Sequence, residues 1–197
     1  MAARRLALVL ALALFACGRS ESWTTVTADD GTFRVDMPGR AEHARKALGT
    51  PVGQAPIEMW VQQDSERAFV AGFTEYPDSV REHFDPERLL DSARDGAVER
   101  VRGKLLRDDP RELAGVKGRR IEIAAEGGSV RVRGDFYVQG RRLYQVLATT
   151  APKEAQSPDV ERFLGSFVLL PKTAVETEVD ARGGKLEARP APEPPTS

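Results

Sequence analysis

Few side chains in this chain could do chemistry, and their types limit what that chemistry could be. Its 197 residues hold one cysteine, Cys17, and two histidines, His43 and His83. A nucleophilic site needs a base beside the nucleophile; only His43 and His83 could serve, and the one thiol is expected to carry a lipid, so a Cys-His site is not expected. His43 and His83 could share a metal, but their spacing is not that of a ligand set, which favours two solvated imidazoles. The carboxylate pairs Asp29-Asp30 and Asp108-Asp109 could serve as acids or metal ligands. Each is followed by Gly or Pro, so turn formation explains them as well. No glycine-rich loop joins a strand to a helix, so no phosphate cradle is expected. No catalytic residue and no cofactor are implied.

A second constellation is a surface rather than a reaction centre. Arg131, Arg133, Asp135 and Tyr137 alternate with Val130, Val132, Phe136 and Val138, and Arg142 and Tyr144 follow on the far side of Gln139-Gly140. In a hairpin with that two-residue turn, Val138 pairs with Arg141, Phe136 with Leu143 and Val132 with Leu147. The same register sets Tyr137 opposite Arg142 and Asp135 opposite Tyr144. Arginine and tyrosine are enriched at interface anchors, so this face is a candidate partner surface. The competing reading is that Asp135 pairs with a neighbouring arginine while the tyrosines pack under a helix.

Cys17 closes an export signal. Arg4 and Arg5 form a positive start, and residues 6–16 are an unbroken apolar run of eleven residues. As a helix that run covers about 16 Å, against about 30 Å of hydrocarbon, so it is too short to span. Leu14-Phe15-Ala16-Cys17 resembles a lipobox, with Phe15 where a smaller residue is usual. The resemblance implies a bacterial lipoprotein: residues 1–16 are removed and Cys17 carries the lipid, whose two or more acyl chains suffice for anchoring. Gly18 in place of aspartate resembles outer-membrane sorting in a two-membrane cell. An ordinary signal cut after Ala11-Leu12-Ala13 would instead leave Cys17 as a thiol near a frayed end.

The elements that must position these residues follow from periodicity. Residues 18–22 form a tether of at most about 17 Å. The expected domain is 23–171, and 172–197, carrying Pro190, Pro192, Pro194 and Pro195, reads as disordered. Strands are expected over 23–27 and 32–36 around Asp29-Asp30-Gly31, and over 57–63 and 67–75, with 37–56 a loop punctuated by Pro and Gly. Asp85-Pro86 caps a helix of about five turns running to Gly103. Strands follow over 104–108 and 118–125, then the hairpin. Ser157-Pro158 caps a short helix whose Val160, Phe163, Leu164 and Phe167 share one stripe, and a closing strand leaves it.

Gly31-Thr32-Phe33-Arg34-Val35-Asp36-Met37-Pro38-Gly39, Tyr137-Val138-Gln139-Gly140-Arg141-Arg142-Leu143-Tyr144 and Phe163-Leu164-Gly165-Ser166-Phe167 together resemble bacterial envelope proteins of PsbP-like type. The likeness covers nearly all of 23–171. It implies an α+β fold, a single antiparallel sheet with two main helices packed on it, and a role in binding larger assemblies rather than in catalysis.

Composition excludes several classes. With 30 acidic against 29 basic residues the net charge is −1, and loss of Arg4 and Arg5 makes it about −3, which does not suit nucleic-acid binding. One cysteine forbids an intramolecular disulfide. The expected function is a membrane-anchored, non-catalytic binding or assembly module of the cell envelope with a protein partner there. The alternative is a carrier of a small apolar ligand or lipid, which would require a large apolar cavity between sheet and helix.

Overall fold

The structure, a computed structural model, describes residues 22–50, 53–78 and 85–171. Cys17, His83, the signal segment and residues 172–197 lie outside the described residues.

Strands β1 (Trp23–Thr27) and β2 (Phe33–Pro38) pair antiparallel from Trp23↔Pro38 to Thr27↔Arg34. Phe33, Val35 and Met37 all point to one side of β2 and are fully buried, as period-two alternation requires of a strand with one covered face. Residues 37–56, expected as a loop, are largely strand: β3 (Glu42–Thr50) and β4 (Gly53–Gln63) pair from Glu42↔Val61 to Thr50↔Gly53. β3 is an edge strand rich in Ala, Arg and Lys. Its extended form comes from β4 rather than from its own propensity.

β5 (Ala68–Glu75) follows, then helix α1 (Pro86–Arg100). Asp85 caps α1, its side chain accepting from the Glu87 and Arg88 amides, and Pro86 occupies the first helical position. The helix stops about one turn earlier than expected, where Arg102 takes a left-handed φ of 44° and the Gly103 amide bonds back to the Val98 carbonyl at 2.9 Å. β6 (Lys104–Leu113) and β7 (Val116–Ala124) join through Ala114-Gly115, both at positive φ. Pro110 and a register shift between Leu105 and Arg107 blunt the outer edge of β6.

The hairpin of β8 (Arg131–Gln139) and β9 (Arg142–Thr150) exists, but two residues out of the expected register. Its pairs are Gln139↔Arg142, Val138↔Leu143, Tyr137↔Tyr144 and Asp135↔Val146. Gly140, at φ 57°, is the first central residue of the turn and Arg141 the second, the arrangement of a two-residue turn that opens on glycine. Because a shift of two preserves side-chain alternation, every residue stays on its expected face. A 3-10 turn (Pro152–Glu154), helix α2 (Pro158–Ser166, capped by the Ser157 hydroxyl) and β10 (Val168–Leu169) complete the domain.

The described residues form two sheets rather than the single one expected. Seven strands run in the order β3-β4-β5-β9-β8-β7-β6, and a separate sheet runs β1-β2-β10, with every neighbouring pair antiparallel. Seven strands span roughly 30 Å across, whereas a nine-residue helix is only roughly 14 Å long. α2 cannot cover that face alone, and the apolar side of the small sheet covers the rest. The opposite face carries α1, whose Leu90 sits on Ile121, Ile123, Val132, Phe136, Val138 and Leu143. Among the described residues no helix is long and apolar enough to cross a membrane.

Candidate functional site

Alternation places the six candidate residues of the β8–β9 hairpin on the face of the large sheet that the small sheet and α2 cover. Asp135 is 1% exposed, Tyr144 2%, Tyr137 3% and Arg133 7%. They therefore line an interior, and the exposed hairpin face expected for a partner is not available there.

The buried polar groups of the candidate hairpin residues have partners, whereas Gln62 Oε1 of β4 is buried without one. Arg120, directly across the β7–β8 pair, holds Asp135 through two bonds of 2.7 Å, Nε to Oδ1 and Nη2 to Oδ2. The Tyr137 hydroxyl donates to Asp135 Oδ2 at 3.1 Å, and its ring stacks on Phe167 at 5.9 Å. Burial, the Asp135 charge and the bond to Asp135 push the Tyr137 phenol up to about 12. The Asp135 bond drives the Arg120 guanidinium above its ordinary value despite its burial. Arg133 donates to the Ala155 carbonyl at 3.1 Å and to Glu161 of α2, tying that helix to the sheet. Arg131 faces Glu122 at 3.5 Å.

At the β8–β9 turn, Arg142 bonds Glu75 at 2.7 Å, reaches Asp30 in the β1–β2 turn, and lies 4.5 Å over the Phe73 ring. Burial pushes the Asp30 carboxyl up, but bonds from Thr32 and Arg142 outweigh it and hold the group below the ordinary aspartate value. Arg142 thus clamps the small sheet onto the large one. Tyr144 packs in the aromatic cluster of Phe33, Phe73 and Phe167.

Access from solvent lies elsewhere. A cleft of about 1100 Å³ opens where the β4–β5 turn, the start of β8 and the N-terminal end of α2 meet. Trp23 forms part of its wall, with the Arg162 guanidinium 4.2 Å over the indole ring. Arg67, Lys153, Glu154 and Asp159 give the lining both signs of charge, and Arg67 bonds Asp159 at 2.6 Å. A smaller cleft, about 260 Å³, lies over Arg141, Arg142 and Leu170. The space between the sheets is filled by aromatic rings: Phe33 meets Trp60 and Phe167, each at 5.2 Å.

The remaining candidates separate. Asp108 is held by Arg94 at 2.9 Å and Arg119 at 3.0 Å, linking α1 to β6 and β7 as a structural ion network. His43, expected in a loop, lies in β3 with its ring stacked 4.4 Å from the Trp60 ring at an interplanar angle of 2°. Its Nδ1 is 3.7 Å from Asp29 Oδ2 and its Nε2 3.6 Å from Glu58 Oε2. This grouping was not readable from the sequence, because it depends on the β3–β4 pairing that sets Arg45 opposite Glu58.

No family model matches the chain, and no curated protein matches it. Among solved structures, the chain is similar to the solution structure of cyanobacterial PsbP, CyanoP, from Synechocystis sp. PCC 6803. The TM-score is 0.54 at 10% identity, over 80% of this chain and 99% of that one. A protein of unknown function from Pseudomonas aeruginosa aligns with a TM-score of 0.42 at 12% identity, over 76% of this chain and 98% of that one. The fold is PsbP-like.

Proposed function

We propose that this chain is a lipid-anchored, non-catalytic binding or assembly module of the bacterial cell envelope, held through Cys17 and meeting a protein partner at the cleft beside Trp23. The position of that cleft carries the reading. Trp23, the first residue of β1, lines the cleft, and Cys17 precedes it by only the tether 18–22, whose reach is at most about 17 Å. A lipid on Cys17 would hold the cleft near the bilayer and raise the effective concentration of any partner in the same membrane. In a two-membrane cell, Gly18 after the cysteine favours the outer membrane facing the periplasm.

The lining supports a protein partner over an apolar ligand. It carries arginine, lysine and carboxylates beside a tryptophan, the chemistry of a polar interface rim with an aromatic anchor. The carrier alternative has less behind it, since aromatic side chains occupy the space between the sheets where an apolar ligand would sit.

The test is in-cell photo-crosslinking from position 154 in the cleft and from position 88 on α1, each in the lipidated protein and in a Cys17→Ser version. One dominant membrane protein captured from 154 alone, and lost with Cys17→Ser, is the expected result. Equal capture from both positions would remove the cleft from the reading, and no capture from either would remove the assembly role.

A further inference from the structure

The geometry points to a cation site at the edge of the molecule: we propose that Asp29, His43 and Glu58 bind a first-row divalent metal ion of the zinc type. The proposal is independent of the lipid anchor and of the cleft beside Trp23. Three separate elements supply the donors. Asp29 comes from the β1–β2 turn of the small sheet, His43 from β3 and Glu58 from β4 of the large one. Imidazole nitrogen with two carboxylate oxygens is a donor set that zinc and its neighbours accept, and water can complete the coordination.

The spacing suits such an ion. Donors placed about 2.0–2.2 Å from a tetrahedral metal lie roughly 3.4 Å from one another. One donor atom from each residue can be chosen so that all lie within 4.8 Å of one another; a single imidazole nitrogen serves the ion, and Nδ1 stands 3.7 Å from Asp29 Oδ2 while Nε2, on the other side of the ring, stands 3.6 Å from Glu58 Oε2. Side-chain rotation closes the difference, because Asp29 is 54% exposed and free of the core. The Trp60 stack fixes the plane of the imidazole, so the least adaptable donor is already oriented.

The same two oxygens already hold a positive group. Arg45 Nη2 lies 3.2 Å from Asp29 Oδ2 and 3.2 Å from Glu58 Oε2. That nitrogen marks the point to which the local field draws a cation, and it is also the competitor a metal must displace. Arg45 also reaches Glu58 Oε1 through Nε at 3.2 Å, so a metal must turn it away from both carboxylates; it is 60% exposed, and three metal–ligand bonds outweigh ion pairs in that much contact with water. Once bound, the ion would join the β1–β2 turn to the β3–β4 edge. It would stabilise the folded chain in proportion to its free concentration, because the unfolded chain does not bring these residues together.

The probe is zinc chloride, titrated calorimetrically into chelator-treated full-length protein carrying Cys17→Ser, a change that removes the one thiol able to compete for zinc. One saturable equivalent is expected, with the melting temperature rising as zinc is added. Asp29→Asn, His43→Gln and Glu58→Gln should each weaken binding at least about tenfold, the smaller loss seen when even an outer partner of a metal ligand is removed. Arg45→Ala should bind tighter than the parent, and His83→Ala should bind equally well. Asp29→Asn keeps the test decisive if a strand variant misfolds, since its side chain lies in an exposed turn. Unchanged affinity in Asp29→Asn and His43→Gln, loss of binding in His83→Ala, or no saturable binding at all would each overturn the site.

Discussion

The two faces of the seven-stranded sheet are covered in different ways. On one, α1 rests on mainly aliphatic residues around Phe136, with Leu90 against Ile121, Ile123 and Val132, and its ion pairs stay at the rim. On the other, the small sheet and α2 enclose aromatic rings together with the Arg120–Asp135 pair, the Tyr137 hydroxyl and Arg133. The aliphatic face needs only size and shape and tolerates repacking. The aromatic face contains charges that are stable only with their partners in place, so it admits one docking of the small sheet and α2. A buried pair of this kind need not add stability over a well-packed apolar replacement, but removing one member is costly.

That contrast can be broken directly. Asp135→Ala strands the Arg120 guanidinium and the Tyr137 hydroxyl in the interior, and urea unfolding should show a loss of about 3–5 kcal/mol. Phe33→Ala, which removes the ring shared by Trp60, Phe73, Tyr144 and Phe167, should cost a similar 3–5 kcal/mol or so. Leu90→Ala on the aliphatic face should cost about 2–5 kcal/mol. A Leu90→Met change should be nearly silent, whereas Asp135→Asn should not be. If Asp135→Asn proved silent, the asymmetry between the faces would be lost.

Titration sharpens the same comparison at smaller amplitude. The Tyr137 phenol has its folded value raised above the ordinary 10.0, to about 12. Its contribution to stability is therefore complete below pH 10 and lost as pH rises through 12. Ultraviolet titration should show Tyr137 ionising later than a free tyrosine, and Asp135→Asn should bring it forward. Asp30 has the opposite sign. Its folded value is depressed, so its contribution is present above the unfolded aspartate value of about 3.9 and lost as pH falls through the folded one. Acid unfolding of Asp30→Asn should accordingly show less pH dependence below that point than the parent. The smallest effect belongs to Ala114, at φ 50° before Gly115 in the β6–β7 turn. Ala114→Asn should raise stability by up to about 1 kcal/mol in thermal unfolding, because asparagine accepts the left-handed conformation more readily.

The legible parts of this fold are those with local chemistry behind them. Asp85-Pro86 and Ser157-Pro158 announced both helices because a cap is a contact within one turn. The β8–β9 hairpin was legible from its alternation, and only the choice of which turn position Gly140 fills moved the register by two. β3 was hidden because Glu42–Thr50 has Thr50 as its one β-branched residue and no Phe, Tyr or Trp, and owes its shape to β4. The second sheet was hidden for a related reason: β2 has the same alternation whether it lies in the plane of a sheet or on top of one. The hairpin face misled because an alternation of apolar with Arg, Asp and Tyr looks the same against solvent as against a covering layer in which those polar groups find partners. Arg120 completes Asp135 from a neighbouring strand, and pairing between strands is what sequence order conceals. The Asp29, His43 and Glu58 grouping stayed unread for that reason too.

The small sheet joins the two ends of the domain. β10, only two residues long, pairs Val168 with Arg34 and Leu169 with Phe33. Phe33, at the centre of the aromatic layer, therefore waits for a segment more than a hundred residues later in the chain. Loop closure over such a separation is entropically slow, and contacts of this kind lengthen folding times. A nascent chain that lacks β10 should stay open and degradable, with the layer over its aromatic face unsealed. Synthesis of β10, rather than the formation of any one hairpin, is then the event that commits this fold to its native state.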